Sequence, residues 1–185
     1  MTRPRGRPAQ GTGVGREEIL SAALALLTES GKQGLTMRAL ASRLGVTAMS
    51  LYHHVDDRIG LLRAVSDRVY AGVLDREKGQ IGPRAKLRAI LVSYHDAVGS
   101  HPQLTLEIFA SPEAFAGVTR QITDRVTALL AEMTDDPVSW RDILIDHAHG
   151  SGLSLCSAQG DQERANALKQ QYELALTQLL DRLPP

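Results

Sequence analysis

Apolar residues recur along this chain with the period of an α-helix, and nowhere with the strict alternation of a strand. In REEILSAALALLTESG, Ile19, Ala22, Ala23, Leu26 and Leu27 fall on one helical face. Glu17 and Glu18 occupy the first turn, where the helix dipole favours them, and Gly31 suits the exit. A short second helix, TMRALASRL, closes at Gly45; Thr36 fits its N-cap, with Leu35 and Leu40 as a hydrophobic staple. The third repeats the device: Thr47 caps, Val46 and Leu51 staple, and Asp56 and Asp57 soon offer another cap. Gly45 leaves a turn too tight for these two helices to lie side by side, so they must cross steeply, as in a helix-turn-helix. From Arg58 a longer helix is predicted to run towards residue 78, with Leu61, Leu62, Val65, Val69 and Leu74 near one side. Beyond the breaker GQIGP, helices are predicted over 84–99, 102–110, 112–132, 137–158 and 161–182. His101-Pro102, Ser111-Pro112 and Asp136-Pro137 set the joints. The predicted fold is all-α. A flexible arm (1–15) leads into a three-helix helix-turn-helix unit (16–60), and a helical body follows (61–185).

Composition adds little until the charges are located. Hydrophobic residues make up 43% of the chain, enough for a real core, and aromatics only 4%. The single cysteine, Cys156, excludes an internal disulfide and a cysteine-based zinc site, and a reducing cytoplasm is the expected location. Its run GLSLCSA predicts a buried structural thiol. No apolar stretch approaches the ~18 residues of a membrane span, and the basic TRPRGRPAQG lacks the apolar centre of a secretory signal. The net charge is zero, which argues against a polyanion as partner, but its distribution reverses that. Residues 1–55 hold seven basic and three acidic side chains, which leaves fourteen basic and eighteen acidic in the rest. A basic front on an acidic body is drawn to a polyanion front first.

The run LTMRALASRLGVTAMSLYHHVDDRIGLLRAV resembles the DNA-binding domain of the tetracycline-repressor (TetR) family of bacterial regulators. The strongest part is LA-x-x-LGV followed by LY-x-H-V and an acidic cap, and the resemblance spans Arg16 to near Val65. Independently, a short helix presented by a tight turn fits the major groove, about 12 Å wide. Its inner side has Val46, Leu51 and Val55; its outer side has Thr47, Ser50, Tyr52, His53 and His54. The resemblance implies roles by position. Arg38 matches a place from which family members reach a base or phosphate, and it is suited to clamping guanine. Thr47, Ala48, Met49 and Ser50 form the leading turn of the recognition helix. Tyr52 and His54 match phosphate-binding positions, His53 a variable position that can face bases, and Arg58 a frequent lysine near phosphate. Family members often carry glutamine or other hydrogen-bonding groups where Ala48 and Met49 stand, so base choice is expected to rest on Arg38, His53 and DNA shape. In the arm, RGRP resembles the core of an AT-hook. Arg5 and Arg7 are expected to attract phosphates, with insertion in the minor groove as the sharper alternative.

Other constellations lead elsewhere. GTGVG lacks the lysine and hydroxyl of a P-loop, and no strand precedes it. His53 and His54 point about 100° apart on a helix and cannot share an ion as an i, i+4 pair can. Asp142 and Asp146 have ligand spacing, but His147 and His149 point to different sides. No metal, cofactor or catalytic set is expected, and hence no enzyme. Leu168, Tyr172, Ala175, Leu176, Leu179 and Leu183 form an apolar stripe near the end, and AHGSGLSLCSA permits close helix approach. The last two helices are therefore expected to pair with a second copy as a four-helix bundle, as the resemblance also implies. It further implies a small-molecule effector in the body that moves the fourth helix. Candidates for its pocket are Tyr94, Phe109, Phe115, Trp140, Leu144 and His147, with Glu107 a possible partner for a cation. The expected function is a homodimeric, sequence-specific transcriptional regulator, a repressor on a palindromic operator, released from double-stranded DNA by that effector.

Overall fold

The structure is a computed structural model and describes residues 14–184. Helices α1 (Arg16–Gly34), α2 (Met37–Leu44), α3 (Ala48–Tyr52), α4 (Arg58–Tyr70), α5 (Pro83–Ser100), α6 (Pro102–Phe109), α7 (Val118–Ala131), α8 (Pro137–Ser154) and α9 (Gln162–Asp181) follow in order. No strand occurs among the described residues, and no helix there is long and apolar enough to cross a membrane. The chain divides into two compact units between Leu61 and Leu62, within α4.

In the first unit α1 buries Ile19, Leu20, Ala23 and Leu27, while Ala22 and Leu26 are half-buried. Its helical geometry breaks at Gly31, whose φ of 57° is open to glycine. The caps form as the sequence predicts. Thr36 Oγ1 accepts from the Ala39 N–H at 3.0 Å, and both staple leucines, Leu35 and Leu40, are fully buried. At the exit of α2, Gly45 adopts φ 66° and the Val46 N–H donates to the Ala41 carbonyl, satisfying an end group and reversing the chain. Arg43 on α2 makes a two-point pair with Glu29 on α1, at 2.6 and 2.8 Å.

The second unit is organised around α5, which packs against α7, α8 and α9. Leu87, Ile90, Leu91 and Val98 of α5 are fully buried, as are Ile122, Val126 and Leu129 of α7 and Leu144 and Ala148 of α8 to within a percent or so. Tyr172 of α9 inserts its ring and donates its hydroxyl to the Leu91 carbonyl at 3.1 Å. Outside this core, Arg125 of α7 clasps Glu77 with a two-point pair.

Four expectations need correction. The helix from Arg58 ends at Tyr70 rather than near 78. The chain turns over at 71–73, burying Val73, and a 3₁₀ turn at Leu74–Glu77 brings Glu77 to Arg125. The segment 112–132 is not one helix. A 3₁₀ turn at Pro112–Ala114 is separated from α7 by Gly117, at φ 58°, and Asp67 of α4 caps α7 by accepting from the Val118 N–H at 2.8 Å. A Cβ at Gly117 would collide with that carboxylate. The helix 137–158 ends at Ser154 and closes with a 3₁₀ turn, Leu155–Ala158. Cys156 sits in that turn and is exposed rather than buried, because the tighter winding carries it away from the core, where Ala158 packs instead. The small residues of this stretch do serve close approach, but within the chain. A Cβ on Gly152 would come within 2.7 Å of Val98 Cγ1 and 3.0 Å of the His95 carbonyl on α5.

That contact makes a test. Gly152→Ala overpacks the α5–α8 seam and is expected to cost about 1–3 kcal/mol, read as a lower urea midpoint. An unchanged midpoint would mean that the seam has slack.

Candidate functional site

The first candidate surface is α3 and its approaches. Thr47 Oγ1 accepts from the Ser50 N–H at 3.2 Å and lies 3.0 Å from the Ser50 hydroxyl. Leu51 is fully buried and Val55 nearly so, which anchors the helix by one side. The opposite side is open. Met49 is 69% exposed and Tyr52 46% exposed; Ala48 and Ser50 are half-buried. The helix is shorter than expected. It ends at Tyr52, and His53 and His54 lie exposed in the turn that follows, because the His54 and Val55 N–H groups both return to the Leu51 carbonyl. Arg38 is exposed on α2. Arg58 is half-buried at the start of α4, and its Nε donates to the Leu35 carbonyl at 3.1 Å. Asp57 caps α4 through the Gly60 N–H at 2.6 Å. Arg5 and Arg7 lie outside the described residues. Thus α3 itself carries no charged side chain, and the exposed groups are a thioether, hydroxyls, a phenol and two imidazoles.

The second is a cavity of about 290 Å³ in the body. Of the six residues expected to line it, Tyr94, Phe109 and Phe115 do so. Trp140, Leu144 and His147 do not. Leu144 is fully buried core, while His147 lies on the other side of α8, stacked at 5.1 Å on Tyr172 with its Nε2 buried and unpartnered. Glu107 is buried and is not among the residues that line the cavity. In place of these stand Tyr70, Thr105, Ile108, Thr119 and His149. Tyr94 Oη and His149 Nε2 lie 2.7 Å apart, and Tyr70 Oη and Thr105 Oγ1 2.9 Å apart. Burial raises the Tyr94 and Tyr70 phenols above their ordinary values and holds the His149 imidazole below its own, so all three stay uncharged at neutral pH.

Residues 19–65 match the sequence profile of the bacterial regulatory proteins of the tetR family. Tetracycline repressor protein class D of Escherichia coli is 29% identical over 164 residues, 84% of this chain and 70% of that one. An uncharacterised HTH-type transcriptional regulator of Mycobacterium tuberculosis is 37% identical over 99 residues, 52% of this chain but only 44% of its own length. The fold is that of a TetR regulator of Streptomyces coelicolor, with a TM-score of 0.70, 22% identity and coverage of 90% of this chain and 96% of that one. It is likewise that of a TetR variant from Acinetobacter baumannii in complex with minocycline, with a TM-score of 0.67, 24% identity and coverage of 90% and 94%.

The chain is similar to the tetR family, in sequence over residues 19–65 and in fold over nine-tenths of its length. The cavity residues missed from sequence share one cause. His147 and His149 are two apart, so only one faces a given neighbour, and the choice depends on how α8 is rotated against α5. The Tyr94–His149 contact crosses 55 residues and the Tyr70–Thr105 contact 35. The signal available was the aromatic and hydroxyl content of α4 and α6.

Burial holds the His101 and His149 imidazoles below the ordinary value, and burial with the nearby His95 ring does the same for His147. As pH falls below the ordinary ~6.5, the unfolded chain takes up these protons before the folded one does. Their contribution to stability is complete above that pH and is lost as pH falls towards the folded values. The urea midpoint is expected to be lower at pH 5.5 than at pH 7.5, with a smaller difference in His149→Phe. Equal midpoints in the parent would contradict the burial of these rings.

Proposed function

We propose that the chain is a sequence-specific DNA-binding transcriptional repressor. In this reading it binds a palindromic operator as a homodimer and is released when a small molecule fills the body cavity. The observation that carries the reading is α3: a capped helix, anchored by Leu51, that turns Met49 and Tyr52 outward within the segment matched to the family. A helix so mounted can enter the major groove. Tyr52 and His54 then reach phosphates. Thr47, Ala48, Met49, Ser50 and His53 face base edges, and Met49 offers apolar contact to thymine methyls. Arg38 supplies the two-point contact to guanine. Arg58, held by the Leu35 carbonyl at the start of α4, stands near the DNA backbone at the edge of the site. Arg5 and Arg7 add attraction to phosphate or enter the adjacent minor groove.

Single short helices bind weakly, and a twofold pair about 34 Å apart reads both halves of a palindrome. Val138 and Ile143 of α8 and Leu174 of α9 are exposed apolar side chains on the two helices this reading gives to the second copy. Two links support release by a ligand. Arg63 of α4 donates twice to the Glu113 carbonyl, at 2.9 and 2.6 Å, and Asp67 of α4 caps α7. Phe115, between those anchors, and Pro112, just before the first, line the cavity. A guest that shifts Phe115 therefore pulls on α4. A coupling of only about 1–3 kcal/mol changes affinity by roughly 5- to 150-fold. In the TetR variant from Acinetobacter baumannii the bound molecule is minocycline.

Selection from random duplexes by the purified protein tests the class: a twofold-symmetric consensus is expected, and retention of no duplex would overturn it. On the selected site, Tyr52→Phe and His54→Ala should weaken binding to all duplexes alike. Arg38→Ala should also relax base choice, with a loss of about 1–3 kcal/mol at one position. Parental affinity and selectivity in all three, measured by fluorescence anisotropy, would remove these residues from the interface.

A further inference from the structure

The cavity's lining narrows what can enter it, and this inference rests on the reading of that cavity as the effector site. Four aromatic rings (Tyr70, Tyr94, Phe109 and Phe115) and the His149 imidazole surround the space. Phe109 meets His149 edge to face, with centroids 4.7 Å apart and planes at 89°, and Tyr94 meets the same imidazole at 5.3 Å and 63°. Such a corner presents both ring edges and ring faces, the complementary partners of another aromatic ring. No carboxylate, ammonium or guanidinium belongs to the lining; Arg120 stands 6.0 Å from the Phe115 centroid but outside it. A charged guest would lose its hydration with nothing to replace it.

The polar side-chain atoms are two neutral pairs and the Thr119 hydroxyl, which donates to the Ala116 carbonyl at 2.8 Å. Tyr70 and Thr105 satisfy one another, and the Thr105 hydroxyl lies 3.4 Å from the His101 carbonyl. Tyr94 and His149 form the second pair. In either tautomer of His149 one member of that pair keeps a free donor or a free lone pair towards the cavity. A hydroxyl, which donates and accepts, suits both cases. A volume of about 290 Å³ stands at the small end of ligand sites, which run from about 300 to 1,000 Å³. That admits one or two fused rings.

We propose that the cavity takes an uncharged aromatic alcohol of one or two rings, with its ring among Phe109, Phe115 and Tyr70 and its hydroxyl on the Tyr94–His149 pair. The test uses the full chain at pH 7 without DNA, and four probes of one shape: 2-naphthol, naphthalene, 2-naphthoate and 2-naphthylmethylammonium. Calorimetry should give saturable binding of 2-naphthol, about tenfold tighter than naphthalene and at least a hundredfold tighter than the anion or the cation. Tyr94→Phe combined with His149→Phe keeps both rings in place, removes both partners of the hydroxyl, and should erase the tenfold preference over naphthalene while naphthalene still binds. Tyr94→Phe combined with His149→Leu is the second variant should the first fail to fold, with the same expected result.

The proposal is overturned if 2-naphthoate or the ammonium probe binds as tightly as 2-naphthol. It is also overturned if both folded variants keep the hydroxyl preference, or if no probe binds. None of those results touches DNA binding. Conversely, 2-naphthol that binds with this preference yet leaves the protein on its selected duplex would uphold the ligand class and remove ligand-driven release.

Discussion

The hydrogen bond from the Ser50 N–H to the Thr47 hydroxyl matters beyond its own strength, because the helix it starts is five residues long. Nucleation is the costly step of helix formation, and a single turn has almost no propagation to offset it. What keeps α3 folded must therefore come from outside its own backbone. The Thr47 cap contributes about 0.5–2 kcal/mol. Full burial of Leu51 contributes about 1.5–3 kcal/mol. Gly45 fixes the direction from which the chain arrives, through a left-handed turn that other residues enter only with strain. With its inner side consumed by anchoring, α3 has only its outer side left to offer, with hydroxyl, thioether and phenol, and the turn that follows adds two imidazoles; such a mixture suits duplex edges and phosphates.

The body applies the same economy in reverse. Its cavity is bounded by groups that already satisfy one another, Tyr94 with His149 and Tyr70 with Thr105. On the proposal above, a guest is recognised by shape and by one exchangeable hydrogen bond, not by charge. The wall is also mechanical. Gly117 is glycine because its backbone lies in a region closed to side chains and because Asp67 occupies the space a Cβ would need. The residue that breaks the predicted helix at 112–132 is thus the one that lets α4 cap α7 beside the cavity.

Much of the fold was legible from residue order alone, where the decisive chemistry is local. Thr36, Thr47 and Asp57 announce their caps within three residues of the groups they bind, and Pro83, Pro102 and Pro137 each open a helix. What was not legible depends on partners far away in the chain. The split at Gly117 needs Asp67, fifty residues earlier. The end of α4 at Tyr70 is matched by the Glu77–Arg125 pair. The exposure of Cys156 follows from a change of helical pitch that composition does not encode. At the candidate interface the outward residues were legible from period and capping. The reach of the helix was not, since His53 and His54 fall in the turn beyond it.

The central claim is that the outer side of α3 lies in the major groove. An iron chelate tethered to Met49→Cys, in a Cys156→Ser background so that only one thiol reacts, reports this directly. On the selected duplex the account predicts strand cleavage in two patches about one helical turn apart, each centred on a half-site major groove. Cleavage spread evenly along the duplex, or none above that of the free chelate, would contradict it.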